Sequence, residues 1–398
     1  MQRDMRRVFF SLVLIAGSIY ADVLAPTKSK ELELDRQKAK VEASKLATSW
    51  INPIRMSYLY QKGDQFPNQL SKNFTITIDQ PIFKSLGIWE AIKYARAKKG
   101  ESLEGIKIKK KELIASVYKL AFTIKRLKLL KQKEELALQN AKIDVEVKKE
   151  AYVSGELDST FLDNAILKKN SIELRLLDIS QQIAQARRQL KDLSDLKESD
   201  IKLPHLRLIS KDRYIASNLA LAQSKKSKKA ARHFKNMTIS RYLPSISLFY
   251  NYNYQKSQGS LFFPGFQYAD HFSTYGIRFS MPLFDINAFK EIESAKIDYL
   301  KAQNRLADTR RQKSNYYWQI KKSLEIIKKK MDLTKEDIKL YSDLLQDTKE
   351  RFKAGEKTRY DLMTIKNSLD QKRLDLKIFD IDRQMLLLDL YKEVSDAF

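Results

Sequence analysis

The stretch 279-FSMPLFD-285 begins as a strand and ends as something else. Residues that alternate in polarity lead to Met281. Pro282 then removes an amide donor and fixes φ where a helix can start. Beyond Asp285 the spacing is helical for about seventy residues. An earlier stretch, 76-ITIDQPIFK-84, makes the same passage. Both read as joints between a strand and a very long helix. Pro81, Phe83, Pro282, Leu283 and Phe284 are the joint residues, with Leu283 and Phe284 expected to plug the bend.

The two joints belong to a tandem repeat. Downstream of them, 150-EAYVSGELDSTFLDNA-165 aligns with 350-ERFKAGEKTRYDLMTI-365, superposing Gly155 on Gly355, Glu156 on Glu356 and Leu162 on Leu362. Two landmarks at nearly the same offset make a duplication. The organisation read from this is a leader over 1–21, a first repeat over 22–200 and a second over 201–398.

Between joint and glycine, apolar residues step by fours and threes. Ile320, Leu324, Ile327, Met331, Thr334, Ile338, Tyr341, Leu345, Thr348 and Phe352 form one seam. Val117, Leu120, Ile124, Leu127, Leu138, Ala141 and Val145 form its counterpart, interrupted at Lys131 and Glu134. A helix of about 65 residues is on the order of 100 Å long. Each glycine then breaks the helix, and a second seam returns. One runs Leu162, Ala165, Ile172, Leu176, Ile179, Ile183, Ala186, Leu190. The other runs Leu362, Ile365, Leu369, Leu376, Phe379, Leu386, Leu390. Each repeat therefore holds a long antiparallel hairpin. Shorter helices, about Lys28 to Ser49 and about Lys211 to Lys235, precede the strands.

Strands are expected at about 53–62, 72–80, 243–255 and 272–282. In the third, Ile246, Leu248, Tyr250, Tyr252 and Tyr254 face one way. Ser245, Ser247, Phe249, Asn251 and Asn253 face the other, as do Arg278 and Ser280 of the fourth strand. Apolar-out, polar-in alternation of this length matches a transmembrane β-barrel. Four strands cannot close around a lumen in lipid, so several chains must share one barrel. The polar inner face favours three chains and twelve strands. Ser245, Ser247, Asn251 and Arg278 are then lumen residues.

Composition supports a helical, exported chain. Of 398 residues only 10 are Gly and 8 Pro, and there is no Cys. The opening MQRDMRRVFFSLVLIAGSIYA has the basic, apolar and small-residue regions of a secretory leader ending at Ala21. No later run is long and apolar enough for a membrane helix. The formal net charge of +26 fits either an anionic partner or lysine-rich solvated helix faces. Lys is interleaved with Glu and Asp, and no basic block carries stacking aromatics, which favours solvated faces. Export argues against nucleic acid as a partner. His205, His233 and His271 have no ligand spacing, and no phosphate-binding glycine loop occurs. The reading is no enzyme, no metal and no cofactor.

The combination "FSMPLFD", "YLPSISLFYNY", "AYVSGELDSTFLDNA" and "RFKAGEKTRYDLMTIKNSLDQKRLDL" resembles the TolC-type outer-membrane efflux proteins across nearly the whole mature chain. The resemblance implies a mostly α fold with a small antiparallel β part. Duplicated helical hairpins form an α-helical barrel in the periplasm, under a homotrimeric twelve-stranded β-barrel in the outer membrane. It implies a passive exit duct of a tripartite efflux pump or type I secretion system, conducting small molecules or proteins. Its partners are a periplasmic adaptor (a membrane fusion protein) and an inner-membrane pump. The chain departs from the family in lacking an extra helix before Lys28.

By position, the resemblance places Asp361 in an acidic ring at the periplasmic gate and Thr364 where a second aspartate is expected. Lys357 matches a basic link to the neighbouring tip; Phe161 replaces its acidic partner beside a retained Thr160. Gly155, Gly355, Glu156, Glu356, Ser154 and Ala354 are the candidate adaptor-docking tips. Two alternatives stay open here: a periplasmic adaptor, or an exported coiled-coil structural protein without a pore. The first should carry a Gly-rich β domain and one hairpin. The second leaves unexplained both the strand pairs and the aromatic loop Ser257–Asp270. The terminal Phe398 follows a helix rather than a strand, so it is read as no barrel-assembly signal.

Overall fold

In the computed structural model, residues 23–63, 69–258 and 267–396 are described. The expected leader over 1–21, residues 64–68 and 259–266, and Phe398 lie outside them. The first repeat comprises α1 (Pro26–Ala47), β1 (Arg55–Gly63), β2 (Gln69–Phe83), α2 (Gly87–Val153) and α3 (Ser159–Lys191). The second comprises α4 (Lys211–Ala216), α5 (Leu219–Ser240), β3 (Ser245–Gln258), β4 (Gln267–Ser280), α6 (Ala288–Lys353) and α7 (Arg359–Tyr391). The long helices have 67 and 66 residues and the returning helices 33 each. The duplication is thus a repeat of architecture as well as of sequence.

The strands form one antiparallel sheet in the order β1-β2-β3-β4. Cross-strand partners share a face, so its two faces can be read from the register. One row runs Met56, Ile76, Tyr252, Ser273, and the next Tyr58, Phe74, Tyr254, His271. The opposite face carries Arg55, Thr77, Asn251, Thr274 and Ser57, Thr75, Asn253, Phe272. One side is thus aromatic and aliphatic, the other mainly hydroxyl and amide. Both β1 and β4 are free edges of this sheet.

The joints differ from the sequence expectation in where the chain turns. β2 runs through Pro81 to Phe83, with a register shift between those two residues. Proline is tolerated there because β1 stops pairing at Arg55↔Thr77 and leaves that flank open. The turn into α2 is made instead by Ser85 (φ 43°) and Leu86 (φ 70°). Ser85 Oγ donates to the Pro244 carbonyl at 2.6 Å, tying the corner to the second repeat. Gly87 follows because a Cβ there would lie 2.2 Å from Ser240 Oγ. In the second repeat β4 ends at Ser280 and α6 starts only at Ala288, so Pro282 does not begin the helix. Leu283 and Phe284 are 91% and 87% exposed, so they plug no bend within their own chain.

The helices lie side by side. Near the sheet α1 and α5 flank α2, and α5 also meets α6. Farther away α3 packs on α2, and α7 lies between α2 and α6. The α3 seam is buried at Ala165, Ile172, Ile179, Ile183, Ala186 and Leu190. The α7 seam is not the expected one: Ile378, Ile381, Leu387 and Leu388 are buried beside Leu369 and Leu390. A helix with neighbours on two sides buries two stripes, which a single-seam reading cannot anticipate. The interruption in α2 is used for ion pairing. Glu134 takes Arg175 of α3 at 3.2 Å, and the adjacent Lys133 reaches Asp375 of α7 at 2.7 Å.

The main core gathers Val117, Phe122 and Ile124 of α2, Leu190 of α3, and Leu387 and Leu388 of α7. Ile201 and Leu206 of the segment joining the repeats complete it. Full burial of each such side chain contributes about 1.5–3 kcal/mol. Gln384 pairs with the Leu206 backbone like a strand neighbour, accepting at 2.7 Å and donating at 3.4 Å.

Candidate functional site: the helical tips and the polar sheet face

Both hairpins end in the same turn. Gly155 and Gly355 each have φ +78°, the left-handed conformation that glycine adopts without penalty. Gly155 N donates to Tyr152 O and Gly355 N to Phe352 O, both at 3.1 Å. Glu156 N and Glu356 N reach back to Ala151 O and Arg351 O, both at 2.9 Å. These bonds close the exposed carbonyls left at a helix end. A Cβ on either glycine would meet nothing within 4 Å. The tips are therefore open backbone surfaces, flanked by Ser154, Glu156, Ala354 and Glu356, all exposed.

The returning helices are capped differently. Asp158 accepts from Thr160 N and Thr160 Oγ1, both at 2.8 Å. Thr358 and Asp361 form a reciprocal capping box: Asp361 N donates to Thr358 Oγ1 at 3.2 Å, and Asp361 Oδ2 accepts from Thr358 N at 2.9 Å. The backbone and then the hydroxyl of Thr358 hold the Asp361 carboxyl below its ordinary range, with Lys357 adding a smaller effect. Asp361 and Thr364 share a cleft of about 750 Å³ between α2, α3 and α7, lined also by Asn140, Asp144, Lys168 and Arg175. Asn140 joins α2 to α7 there, accepting from Asn367 Nδ2 at 2.8 Å.

The structure thus brings Asp361 and Thr364 into one cleft, which Lys357, Thr160 and Phe161 do not line. Lys357 and Phe161 are exposed, and the Thr160 hydroxyl is committed to Asp158. Thr358, Asp158 and the Asn140–Asn367 pair escaped the sequence reading. The pattern Thr358-x-x-Asp361 is itself a capping-box signature and could have revealed the first of these.

On the polar sheet face Arg278 crosses β3 to Asp79, with Nη1 to Oδ2 at 2.5 Å. Its guanidinium lies 5.0 Å from the Phe249 ring centroid. Phe249 in turn covers Gly276, where a Cβ would stand 3.0 Å from the ring. Ser247 is the cross-strand partner of Arg278, and Ser245 Oγ lies 3.0 Å from Ser280 Oγ. Ser245, Ser247, Asn251 and Arg278 therefore share one polar face. Among the described residues no helix is long and apolar enough to cross a membrane, and no group of His, Asp and Glu could hold a metal. His233 Nδ1 lies 2.7 Å from Glu90 Oε2.

Paired hairpins, a two-faced sheet with both edges free and capped tips at the far end make up the architecture. The family described as "Outer membrane efflux protein" matches residues 212–392. No curated protein sequence matches the chain. Its fold is that of solved outer-membrane channels. VceC of Vibrio cholerae matches at 16% identity and TM-score 0.70, over 91% of this chain and 92% of that one. CmeC of Campylobacter jejuni matches at 13% and 0.71, over 94% and 83%. The open state of MtrE from Neisseria gonorrhoeae matches at 15% and 0.65, over 92% and 85%. The family signature lies in the second repeat, and the architecture over both repeats is similar to that of these outer-membrane channels.

Proposed function

We propose that three copies of the chain close into one continuous duct, which carries small molecules or proteins outward from an inner-membrane pump through a periplasmic adaptor. The observation that carries this reading is the pair of unfinished edges on each chain. In hydrocarbon the free edges of β1 and β4 would leave backbone amides unpaired, at several kcal/mol per group. Joining β4 of one copy to β1 of the next removes both edges. Three copies supply twelve strands, wide enough for a wetted lumen lined by Ser245, Ser247, Asn251 and Arg278.

The helical wall has matching edges. On the outer side of α3, Leu167, Leu174 and Leu177 are 64%, 63% and 67% exposed; on α6, Leu333 and Leu340 are 62% and 57% exposed. α3 leads away from its tip and α6 leads into its own, so neighbouring copies would set them antiparallel. Leu177 and Leu333 each lie 22 residues from their tip glycine, and so meet at one level. Leu283, Phe284 and Phe289 supply a third apolar seam beside the β4 edge, where they would meet Ile51 and Ile54 of the next copy.

The open glycine turns serve as docking points for the helical hairpin of the adaptor, with Ser154, Glu156, Ala354 and Glu356 beside them. Asp361 and Thr364 line the entrance that docking opens, and Lys357 with Thr160 and Phe161 forms the contact between adjacent tips. Conduction requires no catalytic group. The chain contains no cysteine, so the arrangement can be tested cleanly. A Leu177→Cys, Leu333→Cys variant should run as a covalent trimer after oxidation and as a monomer after reduction. A variant that stays monomeric on oxidation, while each single-cysteine form still fractionates with the outer membrane, would overturn it.

A further inference from the structure

The aromatic face of the sheet ends in charge. Next to the loops, the row after Tyr58, Phe74, Tyr254 and His271 runs Tyr60, Lys72, Lys256, Ala269, and the row after that starts with Lys62. Lys72 and Lys256 are direct cross-strand partners on β2 and β3. Like charges directly opposite are destabilising, and no carboxylate among the described residues pairs with either, or with Lys62. The only acids on the described strands, Asp79 and Asp270, lie on the polar face. Lys72 lies 5.5 Å over the Tyr60 ring, which helps to position it without neutralising it.

Height fixes what these cations face. The apolar face climbs β3 from Ile246 to Tyr254, about 20 Å of membrane height for a strand tilted by about 40°. Lys256 comes one step later, at headgroup level and at the end of the sheet opposite the helices. A lysine there can lay its methylenes along the apolar band and hold its ammonium among headgroups.

We propose that Lys62, Lys72 and Lys256 form a binding site for the phosphate of an anionic lipid headgroup in the outer leaflet, one site per chain. A bridging phosphate supplies the counter-charge that the facing pair lacks among the described residues. The site rests on the membrane-barrel reading above, and its test separates the two.

The full-length protein is reconstituted in nanodiscs of phosphatidylcholine mixed with a lipid A or phosphatidylglycerol component, and retained lipid is counted by native mass spectrometry. At about fivefold per lysine near an anionic surface, a K62Q/K72Q/K256Q variant should lose about a hundredfold in affinity for the anionic lipid. Its bilayer conductance should match wild type. Equal retention by variant and wild type, with conductance intact, overturns the lipid site and leaves the barrel standing. Inorganic phosphate that displaces the lipid at comparable concentration would make it a free-anion site and overturn the lipid assignment. A wild-type protein that gives no conductance would remove the barrel reading itself, and this site with it.

Discussion

Asp361 accepts from both the backbone amide and the hydroxyl of Thr358 through a single oxygen, Oδ2, at 2.9 Å each. The residue placed at the gate by its position is therefore also the one that starts α7. The two roles separate by substitution. Thr358→Ala removes one half of the cap and should cost about 1 kcal/mol while leaving the carboxylate in place. Asp361→Asn keeps a side chain that can accept but removes the charge. If the carboxylate filters ions, reversal potential in a salt gradient shifts toward anions in Asp361→Asn and stays put in Thr358→Ala. Its lowered pKa means the cap's contribution is present above the unfolded value of 3.8 and is lost as pH falls through the folded one.

The tip glycines make a sharper prediction because space and conformation point in different directions. An alanine at Gly155 or Gly355 would touch nothing, yet must adopt φ near +78°, at about 1–2 kcal/mol. Gly155→Ala and Gly355→Ala should lower the thermal midpoint slightly and leave the hairpins folded by circular dichroism. Docking that depends on backbone approach should fail far more than that cost accounts for. Site-directed crosslinking to the adaptor measures it.

The sequence carried the repeat, the four strands and the tip turns because each leaves a local mark: alternation, a heptad step, a glycine at a fixed offset. The places it misled are those decided by contacts far away along the chain. Pro81 looked like a strand end, but the absence of β1 beside it allows β2 to continue. The corner at Ser85–Leu86 is held by Pro244 and Ser240, whose nearness no local pattern announces. The α7 seam shifted because that helix has neighbours on both sides. Leu283 and Phe284 looked like a plug, yet in one chain they are bare. At the tips, the reading of Asp361 rested on position alone, whereas its partner Thr358 was legible as a cap and passed over.

The junction between repeats should respond to acid. Arg187 holds Glu198 through Nε and Nη2 at 3.0 and 3.2 Å, and Lys128 adds a second ion pair. Chiefly through Arg187, and against the cost of burial, the Glu198 carboxyl drops from 4.5 to about 2. A depressed carboxylate stabilises above its unfolded pKa and loses that contribution as pH falls through the folded one. The window is therefore between about pH 4.5 and 2. Because Arg187 and Lys128 are about half exposed, screening limits the effect to about 1 kcal/mol. Glu198→Gln should lower the melting temperature at pH 7 and flatten its fall on acidification. Equal acid profiles in both proteins would remove Glu198 from the account.

The charge of the proposed lumen face is testable through Arg278 and Asp79. Their side chains cross β3 on the polar face, with the guanidinium against Phe249. As a pair they would add no net charge to the proposed duct, despite the +26 of the whole chain. Asp79→Asn leaves Arg278 uncompensated in each copy, so a closed assembly should become more permeable to anions. Arg278→Gln leaves Asp79 and should move selectivity toward cations. The double variant restores neutrality, so its reversal potential should return close to wild type. A structural pair far from the conduction path would behave differently: both single variants would lose stability, and neither would move the reversal potential. If the two singles shift it in the same direction, the charge-pair reading fails even though the face is polar.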